Sequence, residues 1–253
     1  MKKLSPGVWT ALLLLLGILL WELAAAEGHV NPFFFSRPSL IWAEFRAMAD
    51  NGSMARHLGA TLQEAGLGLL FGAVLGALCG LGLGMAPKVS RALMPLLTGL
   101  NGLPKLALGP LIIIWFGLGL RSKALIAGLM VFFVFAFNLY AGVRAVEEEL
   151  ITAVKLLGGK SRQVMAKVIL PACVPWLLAS LRTSLGLSLS GAIVGEYLGA
   201  SRGMGWIIAD AGERYDMERV LCCVAVIVVV VVLLDGVVRL LERLLLRWRG
   251  PRS

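Results

Sequence analysis

The stretch that decides the fold is residues 147–171, which reads Glu-Glu-Glu-Leu-Ile-Thr-Ala-Val-Lys-Leu-Leu-Gly-Gly-Lys-Ser-Arg-Gln-Val-Met-Ala-Lys-Val-Ile-Leu-Pro. Apolar residues recur at helical spacing behind an acidic start, where the helix dipole favours negative charge. Gly158-Gly159 is expected to end that helix. A second short helix is predicted from Ser161 to Leu170, and Pro171 then opens a longer helix, because proline is tolerated in a first turn. The pattern predicts two short helices joined by a glycine turn, with their apolar residues exposed.

The sequence around this stretch is too apolar for a soluble domain. Hydrophobic residues make up 58% of the 253 residues and charged residues 15%, whereas soluble domains are nearer half apolar and a quarter charged. A helix needs about 20 apolar residues to cross a bilayer core. This length predicts six spans at 8–26, 58–85, 92–118, 123–143, 172–197 and 220–241. The third is interrupted by Pro104 and Pro110, and the last has a basic extension to Trp248. The fold class is therefore an all-α membrane protein with a single domain over 1–253 and a core over 58–248.

Charge sets the expected orientation. The net charge is +9, and the basic residues gather at the ends of the apolar runs and at the C-terminus. Because positive loops stay in the cytoplasm, both termini and residues 147–171 are predicted there. Residues 27–57, with an amphipathic helix near 40–48, and residues 199–219 are predicted to be outer loops. No basic patch is interleaved with aromatic residues, so nucleic acid is not an expected partner.

The first span has a second interpretation. Lys2 and Lys3, an apolar run and Ala24-Ala25-Ala26 together resemble a secretory signal peptide with its cleavage site. The run extends to Ala26, which is long for a signal peptide and favours a retained span. Removing it would leave the later spans as they are.

Two spans carry faces of small residues. In the second span glycine recurs every four residues, which places five glycines on one face and predicts close packing against another helix. These helix-packing glycines are Gly68, Gly72, Gly76, Gly80 and Gly84. The fifth span has a similar face at Ser180, Ser184, Ser188 and Ala192, which is expected either to pack or to line a pore.

Charged groups within spans are costly and tend to be functional. Arg182 and Glu196 lie fourteen residues apart in the fifth span, about 21 Å along a helix, so each needs another partner. Arg182 either attracts an anionic solute or extends toward the inner face, and Glu196 either contacts cargo or caps the loop 199–205. The candidate translocation-path residues are Asn101, Lys105, Asn138, Arg182, Ser184, Ser188 and Glu196.

The apolar residues of 147–171 predict a protein partner, with an amphipathic segment on the membrane surface as the alternative. The stretch resembles the cytoplasmic coupling loop of ABC importer permeases, whose pattern is Glu-Ala-Ala, three residues, Gly, nine residues, then Ile-x-Leu-Pro. Ala153, Gly158, Leu170 and Pro171 match, Val168 replaces Ile, and Thr152 and Val154 depart from the pattern. The residues expected to couple to an ATPase are Leu150, Thr152, Ala153, Leu157, Gly158, Val164, Val168, Leu170 and Pro171.

Further segments extend the resemblance over Thr61 to Trp248. Residues 103–110, 115–119, 138–144 and 196–205 look like permeases that import aliphatic sulfonates, taurine or nitrate. The resemblance implies a type I importer fold in the cell inner membrane and a second permease copy. It also implies a soluble or lipid-anchored binding protein and two ATPase subunits that carry ATP and Mg. The solute expected is a small anion such as a sulfonate, taurine or nitrate, with a vitamin precursor as the alternative.

An ATP site on this chain is not expected. Gly159-Lys160-Ser161 looks like the end of a phosphate-binding loop, but Val154 stands where that loop needs glycine and a helix precedes it. The four cysteines form no C-x-x-C pair, and His29 and His57, both in outer segments, lack ligand partners, so no metal site is expected. The chain is thus predicted to be a permease and not an enzyme.

Two other classes of membrane protein compete with this interpretation. A secondary transporter would not need an apolar cytoplasmic segment, and the inverted repeat that many of them carry is not found. A membrane-embedded enzyme would need a reactive constellation in the spans, and neither histidine lies in one.

Overall fold

The computed structural model describes residues 6–29 and 31–245, in which helices are joined by short turns and loops, with no strand among them. The helices of the first half are α1 (Pro6–Ala26), α2 (Pro32–Phe35), α3 (Pro38–Asp50), α4 (Ser53–Met85), α5 (Pro87–Gly102) and α6 (Gly109–Phe116). Those of the second half are α7 (Leu120–Arg144), α8 (Glu148–Leu156), α9 (Ser161–Val164), α10 (Leu170–Leu198), α11 (Met204–Glu213) and α12 (Met217–Leu245). The predicted basic extension beyond Leu245 lies outside the described residues.

The prediction of about six spans is confirmed. Among the described residues, five helices are long and apolar enough to cross a bilayer, namely α1, α4, α7, the continuous helix over 161–198, and α12. The third predicted span is broken: α5 meets the segment Lys105–Phe116 at 82°, a geometry that fits either one broken crossing or a re-entrant loop. The break falls at Leu103-Pro104, where the residue before a proline is held away from the helical conformation.

The fifth span begins earlier than the sequence predicted. Helix runs without a break over Ser161–Leu198, so Pro171 lies inside it and does not open it. A π-helical turn over Met165–Ile169 ends two residues before the proline. Proline lacks a donor and crowds the carbonyl four residues earlier, and the wider turn accommodates both effects. The second short helix predicted from Ser161 is therefore the first part of the span.

The core is built from three long helices. α4 and α7 are parallel, since Gly68 of α4 meets Ala127 near the start of α7 and Gly84 meets Val143 near its end. α10 is antiparallel to both, because its C-terminal Gly191 also meets Ala127. The bundle therefore has two ends, which we call the α8 end, containing Met85, Arg144 and α8, and the α11 end, containing Ser53, Leu198 and α11.

The glycine face of α4 is the surface on which α7 lies. A β-carbon on Gly72 would overlap the carbonyl oxygen of Gly128, and one on Gly76 would overlap that of Phe132. All five glycines of the face contact α7 in this way. The backbones of the two helices thus approach more closely than any other residue would permit.

The two predicted outer loops contain more helix than expected. Residues 27–57 hold α2, α3 and the start of α4, and residues 199–219 hold α11. α11 is no surface loop, because four of its residues, Met204, Gly205, Ile207 and Ala211, are buried. Met204 and Ile207 pack with Met48 of α3 and with Cys222 and Cys223 of α12. The glycines and polar residues of α11 suggested a loop. Its ten residues are too few to show an apolar period that would have predicted a helix.

Candidate functional site

α8 ends in a glycine turn at the α8 end of the bundle. The N–H of Gly158 donates to the carbonyl of Lys155 at 3.0 Å, and the N–H of Gly159 donates to the carbonyl of Val154 at 2.9 Å. Gly158 has φ +78°, the left-handed conformation that glycine adopts without strain. Together these bonds form a Schellman cap, which reverses the chain between Leu156 and Ser161. We call residues 156–160 the coupling turn.

The tip of the coupling turn is strongly apolar and exposed. Leu156 is 83% exposed and Leu157 is 88% exposed, more than any other large apolar side chain in the described residues. Leu150, one to two turns earlier on α8, is also exposed. Such a group at the end of a helix, outside the apolar band of the spans, indicates a surface for another protein.

The predicted coupling residues divide into two groups. Leu150, Thr152, Ala153, Leu157, Gly158 and Leu170 are exposed, whereas Val168 and Pro171 are half-buried. Val164 is buried and packs with Val143 and Ile169 in the core, so it anchors α9 and is not available to a partner. Leu156 was not among the predicted coupling residues, because it lies outside the apolar face that helical spacing gives for α8. The last turn of α8 is nevertheless exposed on both sides.

α8 is held only lightly against the bundle. Ile151 and Val154 contact the core, and no residue of α8 is buried. A cavity of about 370 Å³ lies between α8 and the ends of the spans, lined by Gly84, Val143, Ile151 and Met165 among others. A segment with so few contacts is one that an outside force can displace.

The charged residue Arg182 is paired. Its Nε lies 2.8 Å from Oδ1 of Asp235 on α12, and Asp235 also accepts from Arg239 one turn later. Asp235 was not among the predicted site residues, although a carboxylate inside the last apolar run and four residues before an arginine was a usable signal. The pair ties α10 to α12, and both arginines remain partly exposed.

Lys105 lies at the bend of the third crossing. Its Nζ donates to the carbonyl of Asn101 at 2.8 Å and lies 5.0 Å from the ring centre of Phe133. The lysine thus caps the C-terminal end of α5, where the helix dipole favours a cation. Asn138 is half-buried on α7.

The serine face of the fifth span is turned inward. Ser180, Ser184, Ser188 and Ala192 are all buried, which favours packing over pore lining for this face in the protomer. The hydroxyl groups of Ser180 and Ser188 donate to carbonyls within their own helix. The strip of α10 that is exposed lies one residue away, at Ala179, Thr183 and Ser190. Helical period alone could not tell which of two adjacent small-residue faces meets α4 and α7.

Comparison with known proteins identifies the fold just described. Residues 68–247 match the family of binding-protein-dependent transport system inner membrane components. The chain belongs to this family. It is a multi-pass inner-membrane permease of an ABC importer, as the coupling-loop resemblance predicted.

Relatives of the permease cover most of its length. The aliphatic sulfonates transport permease protein SsuC of Bacillus subtilis is 36% identical over 92% of this chain and 84% of its own. The taurine transport system permease protein TauC of Escherichia coli is 33% identical over 91% of this chain and 86% of its own.

Solved structures share the same fold. An inward-facing structure of the MetNI methionine ABC transporter matches with a TM-score of 0.67 over 78% of this chain and 98% of its own, at 18% identity. A crystal structure of an amino acid ABC transporter with histidines matches with a TM-score of 0.62 over 79% of this chain and 97% of its own, at 21% identity. The likeness supports the type I importer architecture of the permease.

The permease also contains a buried charged cluster that was not predicted from the sequence. Nζ of Lys123 lies 3.2 Å from Oε1 of Glu64, and both side chains are almost fully buried. Sequence analysis placed Lys123 at the outer edge of its span and did not single out Glu64. The sequence feature that could have revealed the pair is an acidic residue, Glu64, inside a glycine-rich span, because a buried carboxylate needs a partner. Glu196 is buried beside this pair.

Proposed function

We propose that the permease moves a small anion into the cell and is driven by a separate ATPase that docks on the coupling turn. The observation that carries the proposal is the exposed Leu156-Leu157 tip beyond the Gly158 cap. An apolar tip left this exposed by the described part of the chain fits a groove on another protein. The α8 end would then face the cytoplasm, together with both termini.

Charge supports this orientation. The α8 end carries a concentration of basic residues that suits the cytoplasmic face of a membrane. They include Lys88, Arg91, Arg144, Lys155, Lys160, Arg162, Lys167 and Arg243. Residues 27–57 and 199–219 would accordingly face outward, where a solute-binding protein would deliver its load.

ATP and Mg are proposed to bind the partner and not the permease. Gly159-Lys160-Ser161 follows a helix and forms part of a helix cap and the start of the next helix. A phosphate-binding loop instead follows a strand, and its glycines present their N–H groups to the ligand. Two ATPase subunits would dock on two permease copies related by a two-fold axis.

A translocation path is proposed between the two copies. The exposed strip of α10, with Thr183 and Ser190, offers small and polar groups within an apolar span. Asn101 and Lys105 lie at the bend between α5 and the segment 105–116, and Asn138 lies half-buried on α7; all three are retained as path candidates. Arg182 also remains a path candidate, because its side chain is 47% exposed although it is paired with Asp235. Ser184, Ser188 and Glu196 are buried in the protomer, and we assign them to packing and positioning.

The proposed solute is an aliphatic sulfonate or a related small anion such as taurine or nitrate. The support is the likeness to SsuC and TauC at 36% and 33% identity. The alternative is a vitamin or its precursor, since a formylaminopyrimidine transport permease of Halalkalibacterium halodurans and a riboflavin transport permease of Chloroflexus aurantiacus are each 30% identical.

The proposal is tested by purifying the permease with a co-expressed ATPase and binding protein, and by measuring ATP hydrolysis in liposomes. Alkanesulfonates, taurine, nitrate, thiamine precursors and riboflavin are added in turn, and the thermal shift of the binding protein is recorded for each. We expect an anion that stabilises the binding protein also to stimulate hydrolysis. An ATPase that does not co-purify, with transport driven by an ion gradient alone, would contradict the proposal.

A further inference from the structure

The start of α11 is held by side chains from other helices. The N–H of Gly203 donates to Nδ1 of His57 at 3.1 Å, and the N–H of Met204 donates to the hydroxyl of Thr61 at 2.8 Å. The N–H of Gly205 donates to Oε2 of Glu196 at 2.6 Å. The first N–H groups of a helix have no partner within it, and here three in succession are satisfied by α4 and α10.

These three side chains form one buried unit. Glu196 is 1% exposed, Thr61 is fully buried, and His57, which the sequence placed in an outer segment, is 8% exposed in α4. The hydroxyl of Thr61 donates to the other carboxylate oxygen of Glu196 at 2.6 Å, so both oxygens of Glu196 are engaged. The carboxylate also lies at the positive end of the α11 dipole, where negative charge is favoured. We call His57, Thr61 and Glu196 the α11 clamp.

Two glycines make the clamp possible. Gly203 has φ +118°, and a β-carbon there would overlap the carboxylate of Glu196. A β-carbon on Gly205 would overlap the carbonyl oxygen of Ile193 in α10. The start of α11 therefore approaches α10 more closely than residues with a β-carbon would permit. If α11 took another position, these contacts would be lost.

The clamp lies against the Lys123–Glu64 pair. Lys123 packs across Gly195 of α10, where a β-carbon would lie 3.1 Å from its Cγ. Glu196 lies close to both Glu64 and Lys123. The starts of α4 and α7, the end of α10 and the start of α11 thus meet in one charged cluster. Buried charges lose a great deal when a partner is removed, so the cluster holds these four elements in a single arrangement.

The long helix links the clamp to the coupling turn. It begins at Ser161, the residue after the coupling turn, and continues over 38 residues to Leu198. At 1.5 Å per residue it is about 57 Å long. Glu196 lies two residues before its end, beyond which residues 199–203 contain two glycines and no helix. That connection alone would leave α11 free to pivot.

We propose that Glu196, Thr61 and His57 are positioning residues that make α11 move with the long helix. A displacement imposed at the coupling turn then reaches the α11 end of the permease as movement of α11. This inference rests on the proposed docking of an ATPase at the coupling turn. Without the clamp, the long helix still moves and α11 no longer follows it.

The test uses the complete complex with its ATPase. Cys79, Cys173, Cys222 and Cys223 are replaced by alanine, and a spin label is placed either at Tyr197, exposed at the end of α10, or at Glu213, exposed at the end of α11. Distances between the labels of the two permease copies are measured by double electron–electron resonance, nucleotide-free and after trapping with ATP and vanadate. In the parent complex we expect both labels to shift on trapping.

The informative variants are Glu196→Ala and the pair Thr61→Val and Thr61→Ser. In Glu196→Ala and Thr61→Val the distances at residue 197 should still shift, while those at residue 213 broaden and stop shifting. Thr61→Ser keeps the hydroxyl and should behave as the parent. If Glu196→Ala does not fold, the near-isosteric Thr61→Val decides the question.

Two failures can be told apart. An unchanged shift at residue 213 in Glu196→Ala or Thr61→Val would overturn the clamp and leave the proposed function standing. No shift at residue 197 in the parent complex would overturn the proposed coupling, and the clamp's role with it.

Discussion

Gly76 illustrates what a single residue contributes to the fold. Its Cα faces the carbonyl of Phe132, and a β-carbon there would also lie 2.8 Å from Cβ of Phe135. We expect Gly76→Ala to force α4 and α7 apart and to lower the melting temperature in detergent, with a cost of about 1–3 kcal/mol as for overpacked cores. Gly82→Ala is the matched control, because nothing lies within 4 Å of its added carbon. Equal melting temperatures for the two variants would contradict the packing argument.

Lys123 shows the cost of a buried charge that loses its partner. Lys123→Met leaves the carboxylate of Glu64 buried without its cation, and removing one partner of a buried pair costs about 3–5 kcal/mol. We expect a large loss of thermal stability, measured on the detergent-solubilised permease. The double variant Lys123→Met/Glu64→Gln removes both charges and should recover much of it. A double variant that is as unstable as the sum of its parts would show that the two groups do not interact.

Sequence reasoning at this scale succeeded where the signal was local. Five glycines spaced by four define a face without further information, and the structure places α7 on it. Glu64 and Lys123 were missed because each has its partner on another helix, and spacing along one helix reveals no such pairs. Asp235 was missed although Arg239 stands four residues later on the same helix, and its contact with Arg182 lies across helices. Glu196 was predicted either to contact cargo or to cap the loop 199–205, and in the structure it accepts from the start of α11. Nothing local indicated that Thr61 and His57 share that task.

Among the elements, α8 and the coupling turn allow the sharpest test. Gly158→Val places a branched side chain at φ +78°, a conformation that costs such residues about 1–2 kcal/mol, and should distort the turn. Leu157→Glu replaces the most exposed apolar side chain with a charge. We expect both variants to insert normally and to lose most of the ATPase captured in a pull-down from solubilised membranes. Leu157→Met keeps an apolar side chain and should retain capture; undiminished capture by Gly158→Val and Leu157→Glu would contradict the proposed docking.

The elements were predictable to different degrees. Long apolar runs predicted the spans, and the broken third crossing followed from Pro104. The start of the fifth span was placed eleven residues late because Pro171 suggests a helix start, whereas the helix continues through Pro171 by way of a π-helical turn. α11 was taken for a loop because four of its ten residues are glycines or acids and glycines also lie in the segment before it. Both differences depend on contacts with neighbouring helices, which a linear pattern does not contain.

The whole molecule is organised around its two ends. A lightly held α8 lies at one end, a clamped α11 lies at the other, and one helix of 38 residues joins them. This arrangement suits rigid-body movement, because packed helices shift as units between discrete states. The family match and the likeness to solved transporters agree with that architecture.

The most direct test is site-specific crosslinking of the permease in native membranes that contain its co-expressed ATPase. Leu157→Cys and Glu213→Cys are prepared in the cysteine-free background, one at the tip of the coupling turn and the other at the α11 end. Each is labelled with a short photoactivatable maleimide and illuminated. The account predicts a covalent adduct between the ATPase and residue 157, and none with residue 213. An ATPase adduct at residue 213, or at neither position while the ATPase is bound, would contradict it.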